Sequence, residues 1–379
     1  MRAEVFTDQR LRKQAGRFVW LSVDTEKAGN AGFLEKFPMD AWPTLFVIEP
    51  AEERAVLKWL GSADVNDLRR LLADGERAVR STRASPADAA LARADRENGA
   101  GRPAAAAPLY REALAKGGPR WAGRGRAVDA LLLALGEAED WQACAREGEA
   151  QLPPAARDAS FANGAALALS CALSAPEDAP WRAAALERLE GLAQEALQVR
   201  SALPDDLAGL YEELVQAREA RGDAPGAREL ARRWWAYLEA ASGRAPTPEA
   251  RAVFDSSRVS AALALGDPAL ALPALQGSEQ ALPGDYNPPA RLAFLYRELG
   301  RQPEALAAAK RALARAYGPR KLKVYDLEAS ILAKLGDRAA ERVALAEALA
   351  YGAALPGGQR GPREQKLLAR MQARLEQPD

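Results

Sequence analysis

Two patterns of apolar and polar positions divide the chain. Over the first eighty residues, short unbroken apolar runs alternate with polar turns. Phe18-Val19-Trp20-Leu21-Ser22-Val23 is β-prone and unbroken, which predicts a buried strand ended by Asp24. Asn30 to Phe37 predicts a short helix, with Phe33, Leu34 and Phe37 on one face. Thr44 to Ile48 and Ala55 to Leu60 predict a second and a third strand, separated by a polar turn from Glu49 to Arg54 that contains Pro50. After Gly61, Asp64 is placed to cap a helix running to about Val79, with Leu68, Leu71 and Leu72 facing inward.

Ser81 to Pro86 forms a polar break, and beyond it the chain becomes Ala/Leu/Arg-rich helical sequence with short Gly/Pro/Asp turns. Helix-turn-helix segments centre on Gly222, Gly266, Gly300 and Gly336, which are 44, 34 and 36 residues apart. The stretch Arg291-Leu292-Ala293-Phe294-Leu295-Tyr296-Arg297-Glu298-Leu299-Gly300, followed by Arg301 to Ala305, resembles the tetratricopeptide repeat, whose period is about 34 residues. Ala305, Ala309, Ala312 and Leu313 match that family's small-residue and core sites, and Pro319 ends the unit. Gly101 with Ala106, Tyr110, Ala113, Leu114 and Pro119 fits the same template, and weaker matches centre near Glu139 and Pro180. Together they predict about seven helix pairs. The expected fold is mainly α: an α-solenoid of tetratricopeptide-like pairs over 86–355, a small partial α/β unit over 1–80 before it, and a capping helix in 356–379. Leu367, Leu368, Met371 and Leu375 would form the capping helix's apolar face.

In the repeat family the first helix of each pair lines a concave binding face. The resemblance places Asn287, Ala290, Arg291, Phe294, Arg297 and Glu298 there in one repeat. In the next it places Lys323, Asp326, Ser330, Ala333 and Lys334. Ala290 and Phe294 depart from the Lys/Asn set of the family's peptide-carboxylate clamp. Trp121, Trp141, Trp181, Trp234 and Trp235 are expected to be packing residues, not ligand platforms.

The order of elements in 1–80, with Trp42-Pro43-Thr44 before the second run, is similar to the second half of the thioredoxin fold. That resemblance implies a cis peptide before Pro43 and a peptide-binding loop at Trp42, Pro43 and Thr44. The family's Cys-x-x-Cys would fall before the helix expected over Ala3 to Gln14, and this sequence has no such pair. The family's central strand would also be missing between 18–23 and 44–48, leaving edges with unpaired backbone groups. The expectation is therefore a sequence that continues upstream of Met1, the alternative being a rebuilt sheet.

Composition narrows the chemistry. Lys+Arg and Asp+Glu are 52 each, so the charge excess typical of a nucleic-acid binder is absent. The densest basic stretch, Lys310 to Lys323, is expected to be a solvated helix face. With no histidine, Ser-His-Asp and Cys-His systems and imidazole metal sites are excluded. Cys144 and Cys171 lie in Ala-rich helical sequence and are expected to pack as small apolar residues, not to pair. No run approaches the roughly 20 apolar residues of a membrane span, and no apolar segment follows Met1-Arg2, so the expected location of the chain as given is cytoplasmic. A longer precursor would be open to export to a bacterial periplasm. The functional expectation is a scaffold binding a protein or peptide, with no cofactor and no catalysis by this chain. The alternative is a shortened copy of a thiol–disulfide oxidoreductase whose cysteine pair lies upstream.

Overall fold

The structure, a computed structural model, describes residues 5–14, 16–39, 42–61, 63–80 and 84–377. The start of the helix expected over 3–14 and the first half of the break at 81–86 lie outside them; of the former, residues 5–7 are turn and Gln9–Gln14 is a 3-10 helix. The chain forms two compact units, Met1–Phe18 with Phe37–Tyr237 and Val19–Lys36 with Leu238–Asp379.

In the first unit, β1 (Thr44–Glu49) and β2 (Arg54–Leu60) form an antiparallel hairpin, followed by α2 (Val65–Arg80). The Gly61 N–H donates to the Pro43 carbonyl at 2.9 Å, closing the open end of the hairpin, and the Trp42–Pro43 peptide is cis. Asp64 caps α2 by accepting from the Asp67 N–H at 2.7 Å. One face of the helix buries Leu68 and Leu72 with Val5 and Leu11, and Leu71 with Leu57 and Trp59. Gly75 lies so close to Val47 that a Cβ there would overlap it.

The run 18–23 is not a strand. A parallel strand needs a neighbour to take its N–H and C=O groups, and among the described residues the only sheet is β1 with β2. Val19 and Leu21 are instead 88% and 77% exposed. Residues 19–36, with the short α1 (Ala31–Lys36), belong to the second unit.

The remaining helices pair consecutively. In the first unit these are α3 (Pro86–Gly99) with α4 (Pro103–Gly117), α5 (Arg124–Glu137) with α6 (Trp141–Gln151), α7 (Ala159–Ser174) with α8 (Arg182–Ala196), and α9 (Pro204–Ala220) with α10 (Ala224–Arg244). The last of these runs across the boundary between the units. In the second unit a short α11 (Pro248–Ala252) precedes α12 (Asp255–Leu265) with α13 (Leu272–Ala281). Then come α14 (Asn287–Glu298) with α15 (Gln302–Arg315), α16 (Arg320–Leu335) with α17 (Arg338–Ala354), and the single helix α18 (Pro362–Leu375). First helices pack on the first helices of neighbouring pairs, α5 on α7 on α9 and α12 on α14 on α16. This is an α-solenoid of tetratricopeptide-like pairs.

The sequence chemistry explains the pairing. In α15, Ala305, Ala308, Ala309 and Ala312 are all fully buried, and their short side chains let α14 and α15 approach closely. The turn within a pair needs one residue in the left-handed region, supplied by Gly101, Gly222, Gly266, Gly300 and Gly336 at φ of 71–76°. At three of the pair turns an aspartate directly after the left-handed residue caps the second helix: Asp140, Asp223 and Asp337, which follow Glu139, Gly222 and Gly336, accept from the N–H groups of Ala143, Gly226 and Ala340.

The two cysteines are not free. Cys144 on α6 and Cys171 on α7 form a disulfide, with Cα atoms 6.1 Å apart. Packing of α6 on α7 brings them together, a proximity that a 27-residue separation conceals. They are also buried, as expected of small core residues.

Candidate protein-binding surfaces

In the second unit the first helices α14 and α16 lie side by side and carry the residues expected on the repeat face, of which three come together between them. Phe294 and Arg297 are one turn apart on α14, with the guanidinium over the ring at 4.9 Å. Arg297 also donates to the Ser330 hydroxyl on α16 at 2.8 Å and pairs with Glu298 at 2.8 Å. Ser330 in turn donates its hydroxyl hydrogen bond to the Leu327 carbonyl at 2.7 Å. Phe294, Arg297 and Ser330 thus form one half-exposed aromatic–cationic cluster held by two helices.

The other expected residues do not join it. Arg291 is mostly buried beside Asp255, Asp285 and Tyr286, and desolvation lowers its pKa. Asp255, fully buried on α12, also pairs with Arg258 at 3.3 Å, and burial raises its carboxyl pKa. Arg291 therefore has internal acidic neighbours. Asn287 sits at the start of α14 and donates to Asp285 at 2.8 Å. Asp326 is held by Arg374 at 3.1 Å and Arg370 at 3.6 Å, both from α18. Lys323 and Lys334 are exposed, but eleven residues apart on α16 means about 16 Å along the helix, too far for one small site. Ala290 is half-buried and Ala333 exposed.

The basic stretch 310–323 is less open than expected. Arg311 and Arg315 pair with Glu279 on α13 at 2.7 and 3.3 Å. Lys321 lies over the rings of Tyr325 and Tyr351 at 5.8 and 5.4 Å. Trp234 and Trp121 are packing residues: Trp234 is 1% exposed, and Trp121 packs on Gly117 and Gly123 while donating to Asp88 at 3.0 Å.

A second surface was not legible in the sequence. It lies where Tyr286 opens α14, the 316–320 turn leads into α16, and a 3-10 turn, Gly357–Gln359, follows α17. Residues 24–26 rest on it. In sequence, Asp24 reads only as a strand end, and Tyr317-Gly318-Pro319-Arg320 only as a helix stop.

In the first unit, Trp42 is 50% exposed, and Thr44 pairs with Leu60 at the end of the hairpin. The hairpin packs on the first repeat, β2 against α3, and the buried Lys58 ammonium meets Glu137 of α5 at 2.8 Å. A buried network continues this junction. Tyr110 donates to Asp95 at 3.0 Å, and Arg126 reaches Asp95 and Asp74, each at 2.9 Å. Desolvation raises the pKa of Asp95 even beside Arg126.

Among the described residues no helix is long and apolar enough to cross a membrane, and no group of three or more acidic or cysteine side chains is arranged to hold a metal ion. No family model matches the sequence, and comparison with curated proteins likewise finds no match. Among solved structures the chain is similar to a tetratricopeptide repeat protein from Parabacteroides merdae, at 11% identity over 76% of this chain and 100% of that one, with a TM-score of 0.48. It is also similar to YrrB, described as a tetratricopeptide protein with an unusual peptide-binding site, at 16% identity over 57% and 93% of the two chains, TM-score 0.32. A third is Acl4, an assembly chaperone of RpL4, at 13% identity over 76% and 96%, TM-score 0.37. What this chain's own geometry establishes is the architecture: among the described residues, seven tetratricopeptide-like helix pairs in a mainly α fold.

Proposed function

We propose that the protein is an interaction scaffold whose first-helix face in the second unit binds a protein or peptide partner. The observation that carries this reading is the Phe294–Arg297–Ser330 cluster, which presents a ring and a cation together on α14 and α16. An aromatic plane with a fixed guanidinium suits a partner offering an apolar side chain beside a carboxylate or backbone carbonyl. Lys323 and Lys334 would add charge along the same helix without contacting the cluster. The first eighty residues would act as an appendage, with the Trp42-Pro43-Thr44 loop as a second contact for an extended segment. Its thioredoxin-like reading is supported by the sequence pattern and by the order of hairpin, Gly61 and helix; the strand at 18–23 that would extend it is not formed. The only cysteines are joined in a buried disulfide between repeat helices, so this chain's own residues supply no dithiol for the oxidoreductase alternative.

The test is selection of peptides from a displayed random library on the full-length protein, followed by titration against a Phe294→Ala/Arg297→Ala variant. Binders should lose at least about tenfold in affinity, the effect of roughly 1.4 kcal/mol. Selected peptides that bind the variant equally well would refute this face as the site.

A further inference from the structure

The second unit grips its own residues 24–26 by contacts of the kind that read a peptide. Tyr286 donates from its hydroxyl to both carboxylate oxygens of Glu26, at 3.2 and 3.4 Å, and the Arg320 guanidinium lies 3.1 Å from the same carboxylate. Tyr317 donates to Asp24 at 2.9 Å. The buried Gln359 amide donates to the Thr25 backbone carbonyl at 2.8 Å. Gly318, at φ 62°, lets main chain lie against main chain: a Cβ there would overlap the Glu26 backbone. Two acidic side chains and the carbonyl between them are thus each met by a separate donor.

The guest is preorganised. Asp24 accepts from the Glu26 N–H at 3.0 Å through its side chain and from Lys27 at 3.2 Å through its carbonyl, while Asn30 donates to the Asp24 carbonyl at 2.8 Å. Residues 24–30 therefore form a compact turn that projects both carboxylates. The residues leading into it, Val19 and Leu21, are highly exposed, so polar anchoring carries much of the attachment on that side. On the other side, α1 rests on Gly358 through the Ala31 carbonyl.

From this geometry we infer that Tyr286, Tyr317, Gly318, Arg320 and Gln359 form a recognition site for an acidic turn peptide of Asp-Thr-Glu type, occupied in this chain by its own residues 24–26. The site lies off the Phe294–Arg297 cluster and does not depend on that cluster's role. A partner presenting two carboxylates around a free backbone carbonyl competes with the internal segment, which sets the affinity such a partner must exceed. Charge-assisted bonds to both carboxylates supply the selectivity.

The experiment uses the full-length protein and a fluorescein-labelled peptide of residues 22–30, followed by anisotropy. An Asp24→Ala/Glu26→Ala variant vacates the site, and the peptide should bind it at least tenfold more tightly than it binds the unaltered protein. Adding Tyr286→Phe and Arg320→Ala should abolish that binding, and a peptide with both acids replaced by alanine should not bind. A milder Glu26→Gln variant, checked by circular dichroism for unchanged helicity, serves if the double variant unfolds. A Phe294→Ala change introduced into the vacated protein should leave peptide binding intact, which separates this site from the first-helix face. Absence of saturable binding to the vacated protein, or equal binding when Tyr286 and Arg320 are changed, would overturn the inference.

Discussion

Glu139 occupies a turn position that five other pairs fill with glycine. Its φ is 57°, in the left-handed region, where a side chain costs roughly 1–2 kcal/mol. Glu139→Gly should relieve that strain, less the greater freedom glycine gives the unfolded chain, for a net gain of about 0.5–1 kcal/mol. An increase in the urea midpoint at unchanged slope is the expected result. The missing glycine is also why the sequence shows only a weak repeat there; Asp140, the cap that follows, is the signal that survives. Two acids on α9 lead to a second expectation. Desolvation, aided by Asp205, raises the Asp206 pKa to about 7, and desolvation, aided by Glu212, raises Glu213 to about 7. An acid whose folded pKa is raised contributes stability that is full below its unfolded pKa, near 4, and is lost as pH rises through about 7. The first unit should therefore melt at lower temperature at pH 8 than at pH 5.5, and Asp206→Asn with Glu213→Gln should flatten that slope. A profile unaffected by these two changes would place the titration elsewhere.

Helix pairing was the most legible level of the sequence, because glycine, alanine and proline each report a local geometric need. Cross-links between pairs were not, since the signals that define α6 and α7 separately say nothing of Cys144 facing Cys171. Closing a loop of 27 residues restricts the unfolded chain by about 3.5 kcal/mol. Denaturation with and without reductant should show a loss of that order, and a Cys144→Ser/Cys171→Ser variant should be insensitive to reductant. The apolar stripe of 362–375 lies on α18, where Met371 and Leu367 are buried with Leu345 and Ala348 of α17 and Leu322 of α16. Arg374 adds ion pairs to Asp326 and Glu341, at 3.1 and 2.7 Å. Removing 362–377 should cost about 2–4 kcal/mol, taking 25 cal/mol per Å² over one helix face. An unchanged melting curve would show that α18 does not hold α16 and α17 together.

At the scale of the whole molecule, sequence order misleads. The apolar run 18–23 indicates that residues want neighbours, but not which ones, and residues 19–36 are gathered with 238–379 instead of with the hairpin that follows them. The candidate binding residues show the same limit: Arg291 lies on α14 and Asp326 on α16, while the buried acid beside the one and the arginines that pair with the other come from α12 and α18. The two units also assign each perturbation a location. Reducing the disulfide should speed amide hydrogen exchange in segments from 5–18 and 37–237 more than in 238–377, whereas deleting α18 should do the reverse. Equal acceleration everywhere would show that the units unfold as one.

The grip of Tyr286 on Glu26 has a bearing on how the molecule is made. These residues are 260 positions apart, so during synthesis at about 5–20 residues per second Glu26 emerges roughly 13–52 s before its partner exists. The Gln359 contact to Thr25 spans 334 positions and comes later still. Throughout that interval Val19, Leu21 and the acidic turn wait on the ribosome-bound chain, while the first unit is translated on both sides of them. A segment made before most of the repeats is therefore among the last to be seated, and a pause in translation before residue 286 would prolong its exposure to chaperones and proteases.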